Sequence, residues 1–253
     1  MWAWALLPII LAIGGAAGIW GVCAVAVING TVNLTNGVPY ISDCGTYNPQ
    51  SCVFSQHLNI CAFLGIWVAV LRFQQIRDFG LNSKVNTASL VLGFISALGI
   101  SVTGNFQKTV LLRAHHFGAF LAFIGGVTFF WLHVWLTYKA KPCQDHHRVG
   151  PVRIVLCSIC TALIPVAIVQ NIKDHRSSAA ICEWVIAMVF FVLFGLFGVE
   201  LRHIDCVRLT VQAAPRTQPY CSPASHFVHP RAPAGAEGRA LPQAVAQTDT
   251  HSE

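Results

Sequence analysis

The sequence predicts an all-α polytopic membrane protein, a six-helix transmembrane bundle followed by a C-terminal tail, and three observations predict it. Between Met1 and Ser42 there is no Asp, Glu, Lys or Arg, and the first 28 residues are almost wholly apolar. Five further apolar runs follow, each set off by a short polar stretch. Finally, 55% of the residues are hydrophobic against 10% charged, with a mean hydropathy of +0.59, which leaves too little polar surface to cover a soluble globule.

A bilayer core about 30 Å thick is crossed by about 20 helical residues at about 1.5 Å each. The first run, residues 2–28, satisfies this. Ala24-Val25-Ala26 mimics a signal-peptide cleavage site, but the run lacks a basic leading segment and is longer than the usual apolar core of a signal. It is therefore read as a retained helix. The remaining spans are expected near 53–73, 87–106, 117–138, 152–170 and 179–201.

Lys and Arg near helix ends are held on the cytosolic side. With a cytosolic amino terminus, the inside segments carry Arg72, Arg77, Lys84, Lys139, Lys141, Arg148, Arg153, Arg202, Arg208 and Arg216. The outside loops carry only Lys108, Arg113, Lys173 and Arg176. Both termini are thus expected in the cytosol, and residues 29–52 form an extracellular or lumenal loop. That loop holds two N-glycosylation triplets, Asn29-Gly30-Thr31 and Asn33-Leu34-Thr35, usable only in the secretory lumen. Asn29 lies close to the membrane, so Asn33 is the better acceptor. Cys44 and Cys52 flank an Asn48-Pro49 turn in the same oxidising compartment and are expected to form a disulfide.

The other cysteines are read as packing or as loop residues. Cys157-x-x-Cys160 has metal or redox spacing but lies in an apolar span without further ligands. Cys143, with His146 and His147, lacks a fourth ligand, and Cys206, just past the last span, is a palmitoylation candidate. No cofactor or metal is expected. A haem is disfavoured because His133, the one histidine in the cytosolic half of the spans, has no evident partner on another helix.

Polar residues inside a bilayer are costly and face the bundle interior. Here they gather in the outer third: Ser55, Gln56, His57 and Asn59 on the second span, Asn105 and Gln107 ending the third, His115 and His116 opening the fourth, and Glu183 one turn into the sixth. Ser55, Gln56, Asn59, Asn105, Gln107, His115 and Glu183 are taken as one outer polar cluster, serving either helix adhesion or binding. The inner half reads as apolar apart from Ser96, Ser101, Thr103, Ser158, Thr161 and His133. Trp2, Trp4, Trp131, Trp135 and Tyr138 are expected at the cytosolic interface and Trp20 and Trp184 at the outer one. Gly14-x-x-x-Gly18 offers a close-approach face for a homo-oligomer. Residues 204–253 are rich in Pro and polar residues and read as a disordered cytosolic tail.

No nucleotide loop, metal-ligand set or nucleophile–base pair stands out, and nothing points to nucleic acid. Several segments nevertheless carry a resemblance: Asn29-Gly30-Thr31-Val32, Pro39-Tyr40-Ile41-Ser42, Cys44-Gly45, Pro49-Gln50-Ser51-Cys52-Val53-Phe54-Ser55-Gln56, Gly104-Asn105-Phe106-Gln107 and Cys182-Glu183-Trp184. In their order and placement they resemble the damage-regulated autophagy modulator family, in its transmembrane protein 150 group. The likeness runs from Trp2 to His203. His57, Cys61 and Asn48 depart from it.

The resemblance implies a non-enzymatic protein of plasma, endosomal, lysosomal and autophagosomal membranes that promotes autophagy and influences cell survival under stress. Acting as a scaffold, it would offer the basic loops Arg72–Lys84 and Lys139–Arg153 to anionic lipids or cytosolic autophagy factors. The alternatives are a transporter or channel component using the outer cluster as a vestibule, or a lipid-remodelling factor with Glu183 and His115 as its reactive groups.

Overall fold

The computed structural model describes residues 3–81, 83–140 and 146–202. Cys143, Cys206 and the expected tail lie outside the described residues. Six long helices are each long and apolar enough to cross a membrane. They are α1 (Ala3–Ile28), α3 (Gln50–Asp78), α4 (Lys84–Asn105), α5 (Leu112–Ala140), α6 (His146–Ile172) and α7 (Arg176–Leu201), with the short α2 (Ile41–Cys44) in the first loop. No strand occurs among the described residues.

Most helices outrun their apolar stretches. The polar turns Gln50–Cys52 and Gln74–Asp78 belong to α3, because an uninterrupted helix satisfies its own backbone as it leaves the hydrocarbon. The stops are chemical. Gly80 at φ 80° follows the end of α3, Ser83 caps α4 through its hydroxyl on the Val85 amide at 3.1 Å, and Asp174 at φ 60° makes the turn into α7.

The helices close into a ring in the order α1, α3, α4, α5, α6, α7, with α7 returning to α1; the loosest neighbouring seam lies between α5 and α6. The tightest runs between α4 and α5. A Cβ on Gly99 would stand 2.5 Å from the Ala122 nitrogen, and one on Gly118 2.8 Å from the Thr103 nitrogen, so backbone meets backbone there. The expected close-approach pair in α1 behaves differently. Gly14 faces open space, whereas the notch at Gly18 is filled by the His57 ring, whose Nε2 donates to the Gly15 carbonyl at 3.0 Å. Half of the Gly14-x-x-x-Gly18 pattern is thus occupied within the chain.

The middle of the bundle is aromatic. Phe130 lies 5.1–6.2 Å, centroid to centroid, from Phe190, Phe194 and Phe197, and Phe129 packs alongside. Such edge-on and offset contacts add to plain area burial. Two of the tryptophans expected at interfaces hydrogen-bond within the chain. Trp184 is buried, stacked 4.4 Å from Trp20 and donating to the Pro39 carbonyl, and the Trp131 indole N–H donates to Thr161 on α6. Each indole thus satisfies its single donor inside the fold.

Candidate functional site

At the end of the bundle carrying the first loop, here termed the loop end, α2 and its flanks fold over the helices. Asp43 is the fastener: its carboxylate takes Lys108 Nζ at 2.7 Å and Arg176 at 3.6 Å and accepts the Tyr40 amide. Lys108 sits 4.3 Å over the Tyr40 ring, and the Tyr40 hydroxyl donates to Asn171 at the end of α6. Burial, then the nearby Glu183 charge, pushes the Tyr40 phenol upward against the opposing pull of Arg176.

Beneath this cap lies a cavity of about 570 Å³ between α5, α6 and α7. Its rim is polar, with Tyr40, Lys108, His116, Asn171 and Arg176; its body is apolar, with Phe120, Phe123, Ile164 and Ile168. A smaller cavity of about 120 Å³ continues toward Leu11, Cys61 and Phe194, and the two share Ser42, His115, Ala119, Phe123 and Glu183. His115 is buried, its Nδ1 donating to the Phe106 carbonyl at 2.9 Å.

The outer polar cluster expected from the sequence is not one site. Ser55, Asn59 and Asn105 do come together, joined by Ser101: Ser55 Oγ donates to Asn105 Oδ1 at 2.7 Å, Asn59 Nδ2 to the same oxygen at 3.0 Å, and Ser101 Oγ to Asn59 Oδ1 at 2.7 Å. This chain stitches α3 to α4. Gln56 is exposed on another face, and the Gln107 carbonyl accepts the Val110 and Leu111 amides in the turn before α5. His115 and Glu183 belong to the cavity instead.

The expected Cys44–Cys52 bridge is not formed. Cys44 is 1% exposed and packs with Cys23 of α1 in one buried cluster, while Cys52 is exposed with Sγ 3.6 Å from Asn48 Oδ1. Desolvation and the neighbouring Cys23 raise the Cys44 thiol well above its ordinary value.

The opposite end corrects the expectation of an apolar inner half. Arg72 on α3 and Arg153 on α6, expected as loop charges, are both fully buried and converge on the fully buried Glu200 of α7. Arg153 Nη2 meets Glu200 Oε2 at 2.6 Å and Arg72 Nη2 meets Oε1 at 3.3 Å. Thr137 on α5 donates to Glu200 at 3.0 Å and accepts from Arg153, and Gln75 accepts from Arg72 and donates to the Glu200 carbonyl at 2.7 Å. Both guanidiniums lie over the Phe197 ring, at 5.1 and 4.7 Å. His133 on α5 hydrogen-bonds with Ser89 Oγ on α4 at 3.3 Å. One carboxylate thereby ties α3, α5, α6 and α7 together. The aromatic layer around Phe130 separates this network from the cavities.

Among the described residues no group of three or more metal-binding side chains gathers. The fold and its sites define a class: a multi-pass helical membrane protein with a capped amphipathic cavity at one end and a buried ionic lock at the other. More particularly, the chain belongs to the Frag1/DRAM/Sfk1/Cwh43P N-terminal domain family, whose profile matches residues 3–204. It is 53% identical over 212 residues to the Danio rerio protein named Modulator of macroautophagy TMEM150B, covering 84% of this chain and 91% of that one. The Homo sapiens protein of the same name is 45% identical over 221 residues, covering 87% and 95%. Homo sapiens Transmembrane protein 150A is 32% identical over 243 residues, covering 85% and 90%. No solved structure matches the chain.

Proposed function

We propose that this protein is a non-enzymatic membrane modulator of macroautophagy and of cell survival under stress, working as a scaffold with both termini in the cytosol. The observation that carries it is the 45–53% identity to proteins named modulators of macroautophagy, over 84–87% of this chain and 91–95% of theirs. Plasma, endosomal, lysosomal and autophagosomal membranes are its proposed locations. The scaffold reading gains physical definition from burial. With Arg72 and Arg153 drawn into the Glu200 lock, the exposed basic residues left at that end include Arg77, Lys84, Lys139 and Arg148. These are the groups proposed to meet anionic lipid or cytosolic autophagy factors, each near-surface charge contributing about 1 kcal/mol on an anionic leaflet.

The test is autophagic flux in cells lacking the protein, measured as cargo turnover with and without lysosomal inhibition. Wild type should restore flux; reversing Arg77, Lys84, Lys139 and Arg148 together to Glu should not, although the variant reaches the same membranes. Equal rescue by both would defeat the scaffold through these charges. No change in flux on loss of the protein would defeat the modulator reading itself.

A further inference from the structure

The cavity between α5, α6 and α7 lies in the size range of small-molecule sites, about 300–1,000 Å³, and its lining is graded from polar rim to apolar body. Exposed Phe120, Ile168 and Ile172 are part of that lining, so the cavity opens to the outer surface of the bundle along the loose α5–α6 seam. An amphiphile from the surrounding membrane has a lateral way in. Its apolar part would exchange lipid for Phe123, Ile164 and Ile186, a near-neutral trade, so the polar contacts decide what is held.

Those contacts are selective. Lys108 and Arg176 are already committed to Asp43, and the Tyr40 hydroxyl to Asn171. The rim therefore offers no idle cation cluster of the kind that captures a phosphate head. What is left open is an acceptor: among the described residues no hydrogen bond engages the half-buried Glu183 carboxyl, which stands in the wall shared by both cavities. An acceptor in an apolar wall is costly until a donor reaches it, whichever protonation state it holds.

We propose that this cavity binds an amphiphile with a compact apolar body whose head, a hydroxyl or an amine, donates a hydrogen bond to Glu183. The ligand's head sits beneath the Tyr40–Asp43 cap and its body runs along Phe120, Phe123 and Ile164. This site stands independently of the macroautophagy reading, because it rests on the cavity and on Glu183 alone.

The experiment uses the purified full chain in lipid nanodiscs and photoactivatable, clickable probes. One arm compares cholesterol with its 3-O-methyl ether, the other sphingosine with a fatty-acid methyl ester of equal length, so the arms separate a sterol from a sphingoid source. The expected result is saturable labelling of residues 112–124, 164–172 or 179–186 by at least one donor-headed probe, competed by the same unlabelled lipid, with its donor-free analogue far weaker. Glu183→Leu should weaken the apparent affinity about tenfold, as for loss of one hydrogen bond to a carboxyl group. Ala167→Trp, which places an indole on the α6 wall of the cavity and keeps Glu183 itself, should abolish labelling while the protein keeps its elution volume and melting temperature. The proposal is overturned if neither donor-headed probe labels saturably, if the donor-free analogues label as well, or if labelling survives Ala167→Trp in folded protein.

Discussion

Glu200 concentrates more consequence than any other single side chain, because one buried carboxylate answers guanidiniums from two different helices. Glu200→Gln removes the charge and leaves both Arg72 and Arg153 buried without it, the situation in which a broken buried pair costs about 3–5 kcal/mol. Arg153→Met removes one cation and leaves the Arg72–Glu200 pair standing. Thermal unfolding of purified protein in detergent should therefore rank Glu200→Gln as the more destabilising of the two, by several degrees in Tm. The opposite ranking would mean that Glu200 is held by something other than the two arginines. At this scale the sequence was only partly legible. Arg72 and Glu200 fall in the last turn of apolar spans and Arg153 in the first turn of one, where a charge reads equally as an interface residue that sets topology or as an internal one; nothing local separates the two, since partners 47 to 128 residues away decide it. Likewise Cys44 and Cys52 are near in sequence, but α2 turns the first inward toward Cys23 and the start of α3 turns the second outward. Ser55 and Asn59 were legible because a four-residue spacing on one helix fixes a shared face, and Asn105 because it ends the next span at the same depth.

Among the elements, the α4–α5 seam makes the sharpest prediction, since it depends on the absence of two side chains. The Cβ of Gly99→Ala would meet the Ala122 nitrogen at 2.5 Å and the Gly118 carbonyl at 2.7 Å, and backbone cannot swing away as a flexible side chain can. Overpacking of this kind costs about 1–3 kcal/mol. Gly14→Ala meets nothing within 4 Å and gains the helix preference of alanine over glycine, about 1 kcal/mol. Melting curves should thus separate the two substitutions in sign, Gly99→Ala lowering Tm and Gly14→Ala leaving it level or raising it. If both behave alike, the seam is looser than drawn. The number and order of the long helices followed directly from run length against bilayer thickness, because apolar runs of that length have few other uses. Their ends did not, since a helix continues through polar turns after hydropathy has fallen. The short α2 was invisible for a related reason: four residues carry no periodicity, and its place is set by Asp43 reaching Lys108 and Arg176.

Over the whole molecule, burial redraws the charge map without reversing the expected orientation. Withdrawing Arg72 and Arg153 from the basic residues of the opposite end still leaves Arg77, Lys84, Lys139 and Arg148 exposed there, while Lys108 and Arg176 at the loop end are paired with Asp43. The loop end should then face the lumen, and its two glycosylation triplets become unequal for a structural reason. In the first, Asn29 Nδ2 donates to Gln50 Oε1 at 3.2 Å while Gln50 Nε2 donates to Thr31 Oγ1 at 2.6 Å, so both ends of the triplet are clamped to the buried first residue of α3, directly against the last turn of α1. In the second, the Asn33 and Thr35 side chains bond to each other, in an exposed single turn of helix. A single glycan at Asn33 is the expected outcome. N-glycosidase treatment of protein from secretory cells should give one mobility step that Asn33→Gln removes and Asn29→Gln leaves intact. An antibody to a tag at either terminus should bind only after the plasma membrane is permeabilised. Loss of the step in Asn29→Gln alone would place the clamp after glycan addition, and no step in the wild type, with tags accessible on intact cells, would invert the bundle in the membrane.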